Sequence, residues 1–174
     1  PNSAFGFDGA GPVAADEVLE STPILIQSAS AVLSFRNRWT FEGTTTCFDG
    51  GVLEIKIGAG SFTDIVIAGG SFVSGGYTGT VSTAFTNPLG GRLAWCFASA
   101  GYPGYLTTQV NLPAAAAGQT IQLRWRVGTD TSVSAAGQNI DSIAIADACA
   151  AVCTGGPAPD CDDHNACTAD ACDP

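Results

Sequence analysis

One histidine, His164, serves the whole chain of 174 residues, and it lies among cysteines near the C-terminal end. Acid–base chemistry would therefore fall to carboxylates. Glu42, Glu54 and Asp64 lie in or beside apolar runs, and a pair of such carboxyls in a cleft can hydrolyse a glycosidic bond. Nothing in the spacing brings the three together, and carboxylates on exposed strands are ordinarily just solvated. HExxH, GxSxG and a glycine-rich phosphate loop between a strand and a helix are all missing from the sequence. The residue types thus point to a non-catalytic protein.

The cysteines carry more information. Of seven, five fall between Cys149 and Cys172: Cys149, Cys153, Cys161, Cys167 and Cys172. Their spacings include no CxxC pair, which disfavours zinc, and Asp, Asn and Thr between them suit an oxidising compartment. Cys47 and Cys96 stand apart from the tail and are expected to pair, restricting the unfolded chain. Connectivity in the tail stays open, and the odd count leaves one thiol free or paired outside this chain. Asp160, Asp162, Asp163 and Asn165 form a dense oxygen cluster there, with Asp170 and Asp173 beyond it. Such oxygens suit calcium, although the spacing is not that of an EF-hand. The alternative is a soluble, disulfide-held spacer whose Asx residues cap turns.

Sixteen acidic residues against six basic ones give a net charge of -10. That balance repels nucleic acid and anionic membranes and attracts divalent cations. No signal peptide and no apolar run of membrane length is visible, so no membrane insertion is expected. The first residue is Pro and there is no Met, which reads as a processed or excised part of a longer secreted polypeptide, located outside the cell or on its surface.

The elements that must position these groups are strands. Only 13% of residues are charged, about half the usual share, and 22 glycines punctuate the apolar runs. In Ala31–Glu42 the residues Leu33, Phe35, Trp39 and Phe41 share one parity, with Arg36, Arg38 and Glu42 on the other. Leu53, Ile55 and Ile57 alternate with Glu54 and Lys56; Ile65 and Ile67 alternate within Phe62–Ile67. Ile121, Leu123, Trp125 and Val127 alternate with Gln122, Arg124 and Arg126. Further strands are expected at Ile24–Gln27, Leu93–Phe97, Tyr105–Leu112 and Ile140–Ile145, with a hairpin closed at Gly58–Gly60 and one helical turn within Ala114–Ala117. Many strands with one wet face each predict an all-β protein, a two-sheet antiparallel β-sandwich or jelly roll over residues 1–148. Residues 149–174 lack large apolar side chains and are expected to form a small disulfide-rich acidic tail.

The strings STPILIQSASAVLSFRNRWTFE, DGGVLEIKIGAGSFTDI, NPLGGRLAW, VNLPAAAAGQTIQLRWRVGTD and NIDSIAI occur in that order between Ser21 and Ile145. Together they resemble the MAM-like jelly-roll module of bacterial secreted proteins, including the one attached to immune-inhibitor-A-type metallopeptidases. That resemblance implies an accessory, non-catalytic domain. It also implies calcium at the sandwich edge, with Glu42, Asp49 and Asp141 at the matching positions. An acid inside the run Ile140–Ile145 is costly unless paired, and a cation would pair it. Otherwise Asp141 pairs with Arg36, Arg38 or backbone amides, and Asp49 makes a turn with Gly50. Gln138 and Asn139 stand where the family usually has an aromatic residue. The tail string CDDHNACTADACDP resembles a tandem extracellular repeat of the CxDGNxCTxDxC type, with His164 in place of the usual Gly.

Three functions follow as expectations. The first is extracellular structure or adhesion through copies of the same chain, in a filament or surface array. Phe5 and Phe7 share strand parity in a Gly- and Ala-rich stretch that could add to a neighbour's sheet; the same residues could equally form the first strand of their own sandwich. The second is a carbohydrate-binding module of a secreted enzyme, with polysaccharide stacking on Tyr102 and Tyr105. Trp95 shares the parity of Leu93 and Phe97 and is expected in the core. The third is an inert spacer.

Overall fold

A computed structural model describes residues 14–147 and the backbone of residues 4–6. Phe7, the five tail cysteines, His164 and the tail oxygen cluster lie outside the described residues.

Two antiparallel sheets pack face to face, as the alternation predicts. One runs β1(Ala4–Gly6), β12(Gly137–Ala146), β4(Val32–Thr40), β10(Leu106–Asn111), β7(Ser71–Ser74) in spatial order. The other runs β2(Asp16–Glu20), β11(Thr120–Gly128), β5(Gly50–Ile57), β6(Thr63–Asp64), with β3(Ile24–Leu25) also paired to β11. A short ladder of β8(Gly79–Thr80) and β9(Leu93–Ala94) lies apart from both. The one helical turn is a 3₁₀ turn at Ala114–Ala116.

The long strands form because their apolar residues fall at every second position. Leu33, Phe35 and Trp39 of β4 face Leu53, Ile55, Ile121, Leu123 and Trp125 of the other sheet, and all are buried. Trp95 is fully buried at the centre of an aromatic group, with ring centroids of Tyr77, Trp39 and Phe35 at 5.2, 5.9 and 6.1 Å. Removing such a ring from a packed interior costs about 3–5 kcal/mol. Asn37 occupies a core position of β4, where it accepts from Gln138 Nε2 at 3.1 Å. Gln138 and Asn37 thus form a buried polar pair within the core.

Cys47 and Cys96 are disulfide-bonded, buried beside Val52, Val81 and Leu89 in a second small core. The Gly58–Gly60 turn closes the β5–β6 hairpin, with Ile55 opposite Thr63.

Three details differ from the alternation. β6 is only two residues long; the chain turns at 65–69, so Ile65 is buried while Ile67 is 79% exposed. Leu93 is exposed although Trp95 is buried, because β9 ends at Ala94. Glu54 points away from the main core yet is only 3% exposed, because arginines cover it. Among the described residues no helix is long and apolar enough to cross a membrane.

Candidate metal centre

Three carboxylates meet at one end of the sandwich. β5 and β11 pair from Ile57↔Ile121 to Gly50↔Gly128, so Asp49 and Asp130 flank the last rung of that ladder. Glu42 comes from the opposite sheet, two residues beyond the end of β4. One carboxylate oxygen from each of Glu42, Asp49 and Asp130 lies within 4.8 Å of the others. Asp49 and Asp130 are buried, at 0% and 3% exposure, and Glu42 is half-buried.

The backbone holds this arrangement. Asp130 donates its own amide to Asp49 Oδ1 at 2.7 Å. Asp130 Oδ1 accepts from Ser132 N at 2.8 Å and from its hydroxyl at 2.9 Å, and the same hydroxyl reaches Glu42 Oε2 at 3.3 Å. Asn87 clamps the rung from the side: its Nδ2 donates to Phe48 O and Gly128 O, each at 2.8 Å. Gly128 permits this approach, because a Cβ there would stand 2.6 Å from Asn87 Oδ1 and 2.7 Å from Leu89.

Among the described residues neither Glu42 nor Asp130 joins an ion pair. Negative charge gathered in a buried place is unfavourable unless a cation or a proton offsets it. Donors that are all carboxylate oxygen, from three separate segments, suit a hard cation such as Ca²⁺. The residues present therefore fit the calcium that the sequence resemblance implies, with Asp130 in the set.

Asp141 lies elsewhere. Regular alternation, with Gln138 and Ile140 buried, places it on the outer face of β12 opposite Arg36, and a bulge with Ser142 at φ 51° follows between Asp141 and Ala144. There its Oδ1 accepts from Ser142 N at 2.6 Å. An acid within the run Ile140–Ile145 is thus accommodated by its outward position and a local amide.

The other expected carboxylates are engaged by arginine. Glu54 and Asp64 are cross-strand partners that share Arg92, at 2.5 and 3.0 Å, and Glu54 also binds Arg124 at 2.6 Å. Burial pushes the Glu54 carboxyl up, but hydrogen bonds from Arg92 and Arg124 outweigh it and hold the group below the usual carboxylate range. A general acid needs a shift in the opposite direction. Tyr77 bridges the network to the core: its hydroxyl bonds Leu53 O and Asp64 Oδ2, each at 3.1 Å. Burial, then the Asp64 charge, raises its ionisation well above the usual tyrosine range. Glu42 stands apart from this network, in the carboxylate cluster.

Of the tyrosines, Tyr102 is 40% exposed, whereas Arg38 lies over the Tyr105 ring at 4.8 Å from its centroid. Phe5 is opposite Asn139 in the β1–β12 pairing, within its own chain.

No protein-family model matches the chain, and no curated protein matches it. Asp130 and Asn87 are the residues that sequence reasoning missed. The signal for Asp130 was its place directly after the clearest strand, in the string VGTD, where it emerges at the same end of the ladder as Asp49.

Proposed function

We propose that the chain is a non-catalytic structural or adhesive module acting outside the cell, joined to copies of itself, with calcium fixing one end of the sandwich. The observation that carries the assembly reading is the outer edge of β12. β1 covers only Gln138–Ile140 of this strand; no described strand covers the edge from Asp141 to Ala146, and Ile143 there is 46% exposed. An edge left open along this stretch would be a template for a strand from a second chain. A contact of that kind, repeated without closure, makes a filament. The calcium reading draws on the Glu42–Asp49–Asp130 cluster, where the ion would tie β4 of one sheet to β5 and β11 of the other. The non-catalytic reading draws on the arginines that occupy Glu54 and Asp64.

Electron microscopy of the native, non-reduced protein, with and without a calcium chelator, tests the reading. Ordered filaments are expected, and Ile143→Lys, which adds charge to the edge, should disperse them without lowering the melting temperature. Dispersed monomers under all conditions would refute self-assembly.

A further inference from the structure

Six basic residues serve the chain, and three of them, Arg92, Arg124 and Arg126, are ion-paired with Asp16, Glu20, Glu54 and Asp64. Arg36 and Arg38 are used differently. They stand two residues apart on β4, about 7 Å along the strand, and share its outer face. Neither is in an ion pair among the described residues.

Neutral acceptors hold both in place. Arg36 donates Nη1 to Thr107 Oγ1 at 3.1 Å and Nη2 to Tyr105 O at 2.8 Å. Arg38 donates Nε to Asn139 Oδ1 at 3.1 Å and Nη1 to Pro103 O at 3.3 Å, with its plane over the Tyr105 ring. A guanidinium has five N–H donors, so each retains three. Asp141, opposite Arg36 in register, spends Oδ1 on Ser142. Two guanidinium groups are thus oriented by uncharged partners and keep their full charge, in a chain whose net charge is -10. Where this protein uses arginine for its own cohesion it ion-pairs it with a carboxylate; here the one facing carboxylate, Asp141, makes no ion pair with Arg36.

We propose that the Arg36–Arg38 face binds a polysaccharide bearing uronic acid groups. The fork geometry of arginine suits a carboxylate bidentately. Around them Thr107 and Gln109 are exposed and Ser34 and Asn139 partly so, neutral donors or acceptors for sugar hydroxyls on the same sheet face, which Asp141 shares opposite Arg36. The half-exposed Tyr102 ring lies at the margin, in the loop that carries Pro103 and Tyr105. This face is separate from the β12 edge and from the carboxylate cluster, so the binding stands whether or not filaments form.

Affinity electrophoresis of the full chain through gels holding alginate, polygalacturonate or hyaluronan tests the proposal, with carboxyl-reduced polymers and poly-glutamate as comparisons. At least one uronate polymer should retard the native protein, and its carboxyl-reduced form should not. Arg36→Gln with Arg38→Gln should weaken retention at least about tenfold, with the melting temperature unchanged; Arg36→Lys with Arg38→Lys should weaken it less. Should the double glutamine variant prove unstable, Arg36→Gln alone, at the more exposed side chain, gives the same reading. Absence of retardation by every uronate polymer, or retention unaltered in the variants, would overturn the proposal. Equal retention by poly-glutamate, lost in the same variants, would overturn the saccharide assignment in favour of an acidic peptide.

Discussion

Asp130→Asn should change the sign of its effect on stability with calcium. Asp49 and Asp130 are both buried, and their nearest oxygens are no more than 4.8 Å apart. At an effective dielectric of about 20, that pair repels by about 3.5 kcal/mol, and the half-exposed Glu42 adds a screened share. Asparagine keeps the Oδ1 acceptor for Ser132, and the amide donated to Asp49 belongs to the backbone, so the fold loses no hydrogen bond. In chelator the variant should therefore melt higher, by about 7–14 °C at 2–4 °C per kcal/mol. In calcium at a hundredfold excess over its dissociation constant, the native protein gains about 2.7 kcal/mol, and the variant loses most of that gain. Differential scanning calorimetry of both proteins in calcium, magnesium and chelator gives the comparison. If the native protein melts at one temperature in all three and Asp130→Asn lowers it in each, the cluster is not a cation site.

Two further predictions concern the frame around the site. Cys47→Ala with Cys96→Ala opens a cross-link spanning 49 residues and should cost about 4 kcal/mol, visible as a lower urea midpoint; an unchanged midpoint would mean that the bond restricts nothing in the unfolded chain. Asp16 and Glu54 both have folded-state carboxyls below the usual range, Asp16 chiefly through its hydrogen bond from Arg126. Their contribution is therefore complete above the unfolded value near pH 4 and lost as the pH falls through the lower folded values. Glu54→Gln should flatten this acid limb and cost about 3 kcal/mol at pH 7 by leaving Arg92 and Arg124 half-paired, and urea titrations between pH 2 and 7 would expose an error if the limb kept its slope.

The long strands were legible because they are half-wet: β4, β5 and β11 alternate, and the alternation names their inner residues. β2, β7 and β8 were not, since Asp16–Glu20, Ser71–Ser74 and Gly79–Thr80 are short and mostly exposed and carry no apolar stripe. They pair because a neighbouring ladder offers donors and acceptors, a tertiary cause that leaves no local pattern. Glu54 misled for a related reason. Parity places it correctly on the outer face, but its burial comes from Arg92, thirty-eight positions away in sequence, and from Arg124 on the adjacent strand.

The carboxylate cluster marks where sequence reading gives way to geometry. Glu42, Asp49 and Asp141 were grouped by the sequence resemblance, and for Asp141 its place inside an apolar run added an argument for a paired cation. What separates Asp130 from Asp141 is the register. β5 and β11 align Gly50 with Gly128, so the residues just outside that rung emerge together, whereas Asp141 lies mid-strand, five residues before the end of β12 at Ala146 and opposite Arg36. Register depends on both strands at once, and here also on Asn87, whose amide reaches Phe48 O and Gly128 O only because Gly128 has no side chain. A metal placed at that rung would bind both sheets at the one end where Glu42 can also reach, and a carboxylate at Asp141 could not do this from the outer face of β12.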